Sequence, residues 1–391
     1  MSIAFVHWTD PSGRLHLAGT LIEVGRVGLQ RFEYHPDWVQ AGGFELGEGL
    51  PVGRGPLLPP GGATEFGLFA DAAPDAWGRR VLSRKLVPPP RTATAFLLAA
   101  ADATRQGALR FSEDADGQNL LSDGGAVPKS TVHDLYREVR DFQADRATGG
   151  DFARLLRAGT SQGGFRPKAV VADEAGALWI AKFPSETDTY DVETSEAAAL
   201  HIAREAGLDV PTFRHLRVDP DRAILLVKRF DRTEGGRVGY QSLRTAARLG
   251  PNDAIDYQTA ARVSGSLCGT AGRHAVVAAA ALNIAIHNID DHSRNVGFTQ
   301  RADGAWTPAP LFDVVPYPRV GVGTPLAWGT ERTVGQLLEL DWGVPAREVA
   351  AVVRRVNEQA ARLYEVAHDV YGMDPEASEK AERVRSAAAR G

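Results

Sequence analysis

The sequence predicts an α+β protein built from a β-rich N-terminal cap, a mixed β/α lobe and a mainly helical lobe, in that order. Short apolar runs separated by Gly- and Pro-containing turns fill the start, strand pairs and a helix occupy the middle, and helical spacing dominates beyond residue 230. A chain of 391 residues exceeds what one hydrophobic core usually organises. A polar linker near residue 128 and the change to helical pattern after the strand ending near residue 228 divide it into 1–128, 129–228 and 229–391.

Phe5 to Trp8 and Leu15 to Leu21 flank Asp10-Pro11-Ser12-Gly13, the composition of a hairpin turn. Gly- and Pro-rich loops (LGEGLPVGRGPLLPPGG) come next, and a helix is expected from about Pro74. The polar stretch Ser122 to Ser130 has little to give to a core and is read as a linker. Val170 to Ala172 and Leu178 to Phe183 surround Asp173-Glu174-Ala175-Gly176, predicting a second hairpin. Glu196 to Ala206 is rich in helix formers and stops before Gly207 and Pro211. Ala223 to Phe230 (AILLVKRF) predicts a buried strand that emerges at its charged end, and Ala275 to Ile286 a buried helix. Val349, Val352, Val353, Val356, Ala360 and Leu363 mark one face of an amphipathic helix, and the final SEKAERVRSAAARG is expected to be a charged, frayed end.

A formal charge of -5 argues against a surface built throughout to grip nucleic acid. Cys268 is the single cysteine, so neither an internal disulfide nor a cysteine zinc cluster can form, which suits a reducing cytoplasm. The opening MSIAFVHWTD lacks the basic and apolar regions of an export signal, and the apolar run at Ala275 is well short of the roughly 20 residues that span a bilayer.

Three stretches have the residue types for phosphate chemistry. Ser161-Gln162-Gly163-Gly164-Phe165-Arg166-Pro167-Lys168 precedes a strand, and its glycines would let backbone N–H groups approach phosphate oxygens; the same pair also suits an ordinary turn. Lys182 shares a strand face with Leu178 and Ile180, so its ammonium either reaches out to water or meets an anion. In His287-Asn288-Ile289-Asp290-Asp291-His292-Ser293-Arg294-Asn295, the spacing from Asp290 to Asn295 is that of a kinase catalytic loop, and Phe312-Asp313 after an apolar residue resembles the start of the metal-binding DFG motif, although no Arg precedes Asp290. Phosphoryl transfer needs a carboxylate to orient the attacking hydroxyl and an Asn and Asp to hold Mg²⁺, roles that Asp290, Asn295 and Asp313 fit. Asp and Asn are also common in turns, and His287, Asp291 and His292 are potential zinc ligands without the framework of a zinc hydrolase.

GGFRPKA, WIAKFPS, the helix leading to GLDVP, LVKRFDR, IDDHSRNVGF and FDVVP occur in the order seen in the HipA-like serine/threonine kinases that act as bacterial toxins, and FADAAPDAWGRRVL with ADATRQGALRF is similar to that family's N-terminal segments. The resemblance covers nearly the whole chain and implies a protein-kinase-like bilobal core behind the cap. It implies ATP and Mg²⁺ as cofactors, with Asp290 catalytic and Asn295 and Asp313 on the metal. Gly163, Gly164, Phe165, Arg166, Pro167 and Lys168 would form the nucleotide loop, Lys182 would contact phosphates, and Lys228, Arg229 and Phe230 would form the adenine-side hinge. His292, Ser293, Arg294, Asn295, Phe312 and Asp313 would complete the nucleotide site. Phe165 departs from a loop position that is usually small in that pattern, and Lys228 occupies a hinge position that can be acidic.

Ser161, with Thr160 beside it, falls where the family carries an autophosphorylated serine. Glu196 would pair with Lys182 if it acted as a kinase helix glutamate, but Glu193, Glu196 and Glu205 together suit an exposed helix face. The implied activity is ATP-dependent phosphorylation of a protein Ser or Thr, with an aminoacyl-tRNA synthetase as a candidate target. A small-molecule or lipid kinase and an inactive kinase fold serving as a binding module are the alternatives. The implied partner is a HipB-like helix-turn-helix antitoxin, through which any DNA contact would be indirect, and no membrane is involved.

Overall fold

A computed structural model describes residues 2–121, 126–146, 166–250, 253–318 and 333–388. The chain divides into two compact units, one made of Met1–Glu186, Lys228–Gly250 and Thr299–Ala305, the other of Thr187–Val227, Pro251–Phe298 and Trp306–Gly391.

The first unit begins with strands β1 (Ser2–Thr9), β2 (Leu15–Val24) and β3 (Leu29–Tyr34), joined by β4 (Leu109–Ser112) in the order β3-β2-β1-β4. The β1–β2 turn forms as its composition predicts, because one Asp10 carboxylate oxygen accepts from the Ser12 and Arg14 backbone N–H groups, each at 2.9 Å. Val6, Leu21, Phe32, Phe66, Phe69 and Phe111 are buried against this sheet. Phe69 meets Phe32 and Phe111 edge-on at 5.4 and 5.7 Å, the arrangement that ring quadrupoles favour. Helix α1 (Ala76–Lys85) starts two residues beyond Pro74, capped by Asp75, whose carboxylate accepts from Gly78 N at 2.7 Å.

The stretch read as a linker is in part structural: β5 (Val127–Pro128) pairs in parallel with β6 (Lys168–Ala172), and Val127 is buried. A polar composition did not reveal that one valine flanked by turn residues suffices for an edge pairing. Helix α2 (Val132–Gln143) comes after β5. Strand β7 (Leu178–Lys182) pairs antiparallel with β6, placing Lys182 directly opposite Lys168. Asp173 closes their turn by accepting from Ala175 N, Ala177 N and the Trp179 indole, and Gly176 supplies the positive φ of 79°.

In the second unit, helix α3 (Val192–Glu205) is capped by Asp191 and ends at Gly207 (φ 78°). The hairpin β8 (Phe213–Asp219) and β9 (Arg222–Lys228) comes next. The helical stretch α4 (Tyr257–Ala285) is interrupted at Gly269 (φ 62°, ψ -149°). Beyond the break, Gly272 lies so near Ser264 that an added Cβ would sit 2.1 Å from the Ser264 carbonyl oxygen. Helix α5 (Ala346–Ala360) packs on α4 through its valine face, and α6 (Leu363–Asp369) packs on α3. The C-terminal residues differ from the frayed end expected of them. Helix α7 (Pro375–Ala388) docks on α6, burying Ser378, Ala381 and Arg385. The Ser378 hydroxyl donates to Tyr364 O at 2.6 Å, a contact that charge density along the sequence cannot reveal. Among the described residues no helix is long and apolar enough to cross a membrane.

Candidate functional site

The acidic loop of the second unit grows out of the end of α4. His287 takes a left-handed conformation (φ 58°) that turns the chain out of the helix, and its carbonyl accepts from Tyr317 N at 3.1 Å. Asn288 is buried and braces the acidic turn from within. Its side-chain amide donates to Asn283 Oδ1 at 3.0 Å, while its own oxygen accepts from Asp290 N at 3.0 Å. Asn295 closes the loop, with its side-chain amide donating to the Asp290 carbonyl at 3.0 Å and its backbone N–H to the His292 carbonyl at 2.8 Å. Asp290, Asn295 and their spacing are thus organised by direct contact.

Asp290 reaches the surface, yet the protein mass around it lifts its carboxyl above the usual carboxylate range. His292 opposes this shift, and the charge of Asp313 reinforces it, so Asp313 lies within electrostatic reach of Asp290. Asp313 itself adopts φ 59°, a left-handed conformation uncommon for a residue other than glycine. The neighbouring Asp291 is fully buried. Burial pushes its carboxyl up to about 7, against the Tyr257 hydroxyl, which donates to Oδ2 at 2.8 Å, and the Asn283 side chain. Tyr257 and Asn283 thus tie it into the support of the loop, and among the described residues no cluster of three or more His, Cys, Asp or Glu side chains is arranged to hold a metal. His292 and Ser293 are half-buried, Arg294 is exposed, and Phe312 is half-buried next to Asp313. The buried Nδ1 of His292 has no hydrogen-bond partner among the described residues.

The first unit holds the remaining sequence-predicted positions. Thr160, Ser161, Gly163, Gly164 and Phe165 lie outside the described residues. Arg166 is half-buried and Pro167 buried. Lys168 is buried, with its ammonium 3.2 Å from Asp75 and its carbonyl accepting from the Trp77 indole at 3.2 Å. Lys182 is half-buried at the end of β7. Lys228 is exposed, and Phe230 packs near Tyr240 with ring centroids 6.3 Å apart.

Arg229 differs most from its expectation, since the charged end of the strand turns back into the protein at this residue. Its guanidinium is fully buried, donating to Asp231 at 2.8 and 2.5 Å and to the carbonyls of Thr104 and Arg105 at 2.5 and 2.8 Å. The expectation of exposure failed because an apolar run ending in Arg reads alike whether the charge meets water or a distant carboxylate. In the second unit, Glu193 and Glu196 are buried, against the exposed helix face expected of them, whereas Glu205 is partly exposed and pairs with Arg362 at 3.1 Å.

The sequence reading assigned no role to Asn283, Asn288, Tyr257 or Asp75. Asn288, inside the acidic motif, was the one with a signal: an amide between a helix end and an acidic turn is a natural brace.

A model of the HipA-like C-terminal domain matches residues 160–364, and a model of the HipA N-terminal domain matches residues 13–112. A comparison with curated protein sequences finds no match. Among solved structures, the HipA chain of the Shewanella oneidensis MR-1 complex of HipA, HipB and operator DNA superposes with a TM-score of 0.67 at 14% identity, covering 98% of this chain and 96% of that one. The Helicobacter pylori proinflammatory kinase CtkA gives a TM-score of 0.43 at 13% identity over 56% of this chain and 89% of its own. The α+β class read from the sequence is accordingly that of the HipA fold. With the two domain models matched in order, and the C-terminal one spanning more than half of its length, this chain belongs to the HipA-like family.

Proposed function

We propose that this protein is an ATP- and Mg²⁺-dependent serine/threonine protein kinase, the toxin of a toxin–antitoxin pair. The observation that carries this reading is the clamped Asp290–Asn295 loop, with Asp313 close enough to shift Asp290. Because the Asn295 amide nitrogen is spent on the Asp290 carbonyl, its oxygen is the end that remains for a cation. Asn295 and Asp313 provide the oxygen donors that Mg²⁺ prefers, few enough to leave room for phosphate oxygens and water. When bound, the ion would neutralise charge on the transferring phosphate.

The chain's own residues supply the rest. Asp290 orients the acceptor hydroxyl and takes its proton, a task that a carboxyl with a raised pKa performs better than an ordinary one. Lys182 offers a positive charge to the phosphates, and Lys228 to Phe230 lie on the adenine side through their backbone. Gly163, Gly164, Phe165, Arg166 and Pro167 form the phosphate loop in this reading, with His292, Ser293, Arg294 and Phe312 lining the nucleotide. The cap, N-lobe and C-lobe correspond to 1–128, 129–228 and 229–391.

By family membership and the HipB–operator complex of the Shewanella protein, a HipB-like antitoxin is the proposed partner, with DNA reached through it in the cytoplasm. The proposed substrate is a translation protein such as an aminoacyl-tRNA synthetase, and Ser161 is the proposed autophosphorylation site. The test is the intact mass of purified protein after incubation with ATP and Mg²⁺. A phosphoryl-sized gain, absent in Asp290→Ala and without metal, is expected. A wild type that neither binds ATP nor gains mass sinks the proposal.

A further inference from the structure

Two of the buried places at which the N-terminal domain grips the chain beyond residue 165 adjoin positions of the nucleotide reading, both within the first unit. At one, Asp75 and Trp77 at the start of α1 hold Lys168 by its ammonium and its carbonyl. Lys168 is the direct cross-strand neighbour of Lys182, and directly opposed residues of an antiparallel pair share a face. An unpaired ammonium there would repel that of Lys182 and compete with it for any anion. Asp75 is almost wholly buried and compensates that charge.

At the other, the segment after β9 is bolted down by arginines. Arg229 bridges Asp231 and the carbonyls of Thr104 and Arg105. Arg232 reaches the Arg105 carbonyl at 2.5 Å and Asp231 at 3.0 Å, and Asp231 in turn accepts from Gly107 N at 2.7 Å. Arg237 bonds Asp102 at 2.8 Å, and the Thr233 hydroxyl donates to Pro11 O at 2.6 Å. These anchors take donors and acceptors from residues 10–107 and spend them on the stretch that opens with Lys228.

We propose that the N-terminal domain is a positioning part of the phosphotransfer site, with Asp75 setting the Lys168–Lys182 strand pair and Arg229 fixing the backbone of Lys228 to Phe230. Arg229 and Lys168 are then positioning residues whose charges are consumed inside the protein, and their side chains do not touch nucleotide. This inference rests on the kinase reading above.

Three variants and the wild type decide it. Asp75→Asn retains a helix-capping oxygen for Gly78 but loses the charge that meets Lys168. Arg229→Lys keeps a positive charge that cannot span a carboxylate and two carbonyls at once. Val6→Ala weakens the same domain's core without removing a group of either anchor. The KM for ATP and kcat of phosphoryl transfer are measured for each, below its own melting temperature. Since misplacing a binding group by about 1 Å can cost on the order of 10²-fold, a KM raised roughly tenfold is expected in Asp75→Asn and Arg229→Lys, and an unchanged KM in Val6→Ala.

An unchanged KM in the anchor variants, or an equal rise in Val6→Ala, overturns the inference and leaves the kinase reading intact. A wild type that binds no ATP overturns the kinase reading and this inference with it. If Arg229→Lys does not fold, Asp75→Asn decides alone.

Discussion

Asp231 and Asp291 are both buried aspartates, one in each unit, and they behave in opposite ways. Burial alone would raise Asp231, but Arg229 and Arg232 beside it hold its carboxyl well below the usual range. Asp291 has a tyrosine hydroxyl and an amide for company and, among the described residues, no cation, so burial wins and its carboxyl rises to about 7. The contrast separates two uses of acid groups. Where arginines surround the carboxylate the charge is consumed in holding chain segments together, and where they are lacking the acids remain poised to exchange protons. Asp290 belongs with the second kind.

The largest effect that would break this comparison is in stability. Removing Asp231 as Asp231→Asn leaves Arg229 and Arg232 buried without their counter-charge, and a loss of about 3–5 kcal/mol is expected in a urea melt. A loss below about 1 kcal/mol would show that the carbonyls alone satisfy the arginines. Next comes Asp290→Asn, expected to slow phosphoryl transfer on the order of 10²-fold or more while leaving the melt nearly unchanged. The wild-type single-turnover rate should rise with pH as Asp290 ionises, at a pH above the ordinary carboxylate range.

The two buried acids should also give opposite pH slopes. The folded pKa of Asp291 is raised from 3.8 to about 7, so its contribution is full below about 4 and is lost as pH climbs towards 7. Asp231, depressed in the fold, contributes fully above its unfolded pKa of 3.8 and loses that contribution as pH falls. Melts of Asp291→Asn across this range should therefore lack part of the wild-type decline between pH 4 and 7. An identical slope would place Asp291 in a solvated setting. The smallest effect is at Asn295→Ala, where losing the bond to the Asp290 carbonyl should cost about 1 kcal/mol of stability. The same variant should weaken Mg²⁺-dependent nucleotide binding, measured by titration calorimetry.

Local chemistry was legible in the sequence wherever a few neighbouring residues decide the outcome. The turns at Asp10 and Asp173 formed because their carboxylates cap backbone N–H groups two and four residues away. Asp290 and Asn295 came together because a five-residue loop leaves them little alternative. Arg229 was misread because its partners, apart from Asp231, lie 124 and 125 residues upstream, a distance over which periodicity carries no information. The same holds for Lys168, whose counter-ion Asp75 sits in another domain segment, and for Arg385, whose donation to Ala285 O spans 100 residues. Burial of Glu193 and Glu196 was likewise invisible, since a helix glutamate is spelled the same on either face.

The discontinuity of the first unit has a consequence for the newborn chain. The carbonyls of Thr104 and Arg105 leave the ribosome 124 or 125 residues before the guanidinium that satisfies them, and at about 5–20 residues per second that wait is on the order of ten seconds. During it the N-terminal domain, whose four-stranded sheet is already synthesised, lacks its arginine bolts, so under the kinase reading the nucleotide side would be completed late in synthesis. Ribosome-arrested chains ending before Arg237 should then be cut by protease within residues 101–110, and chains released at full length should resist.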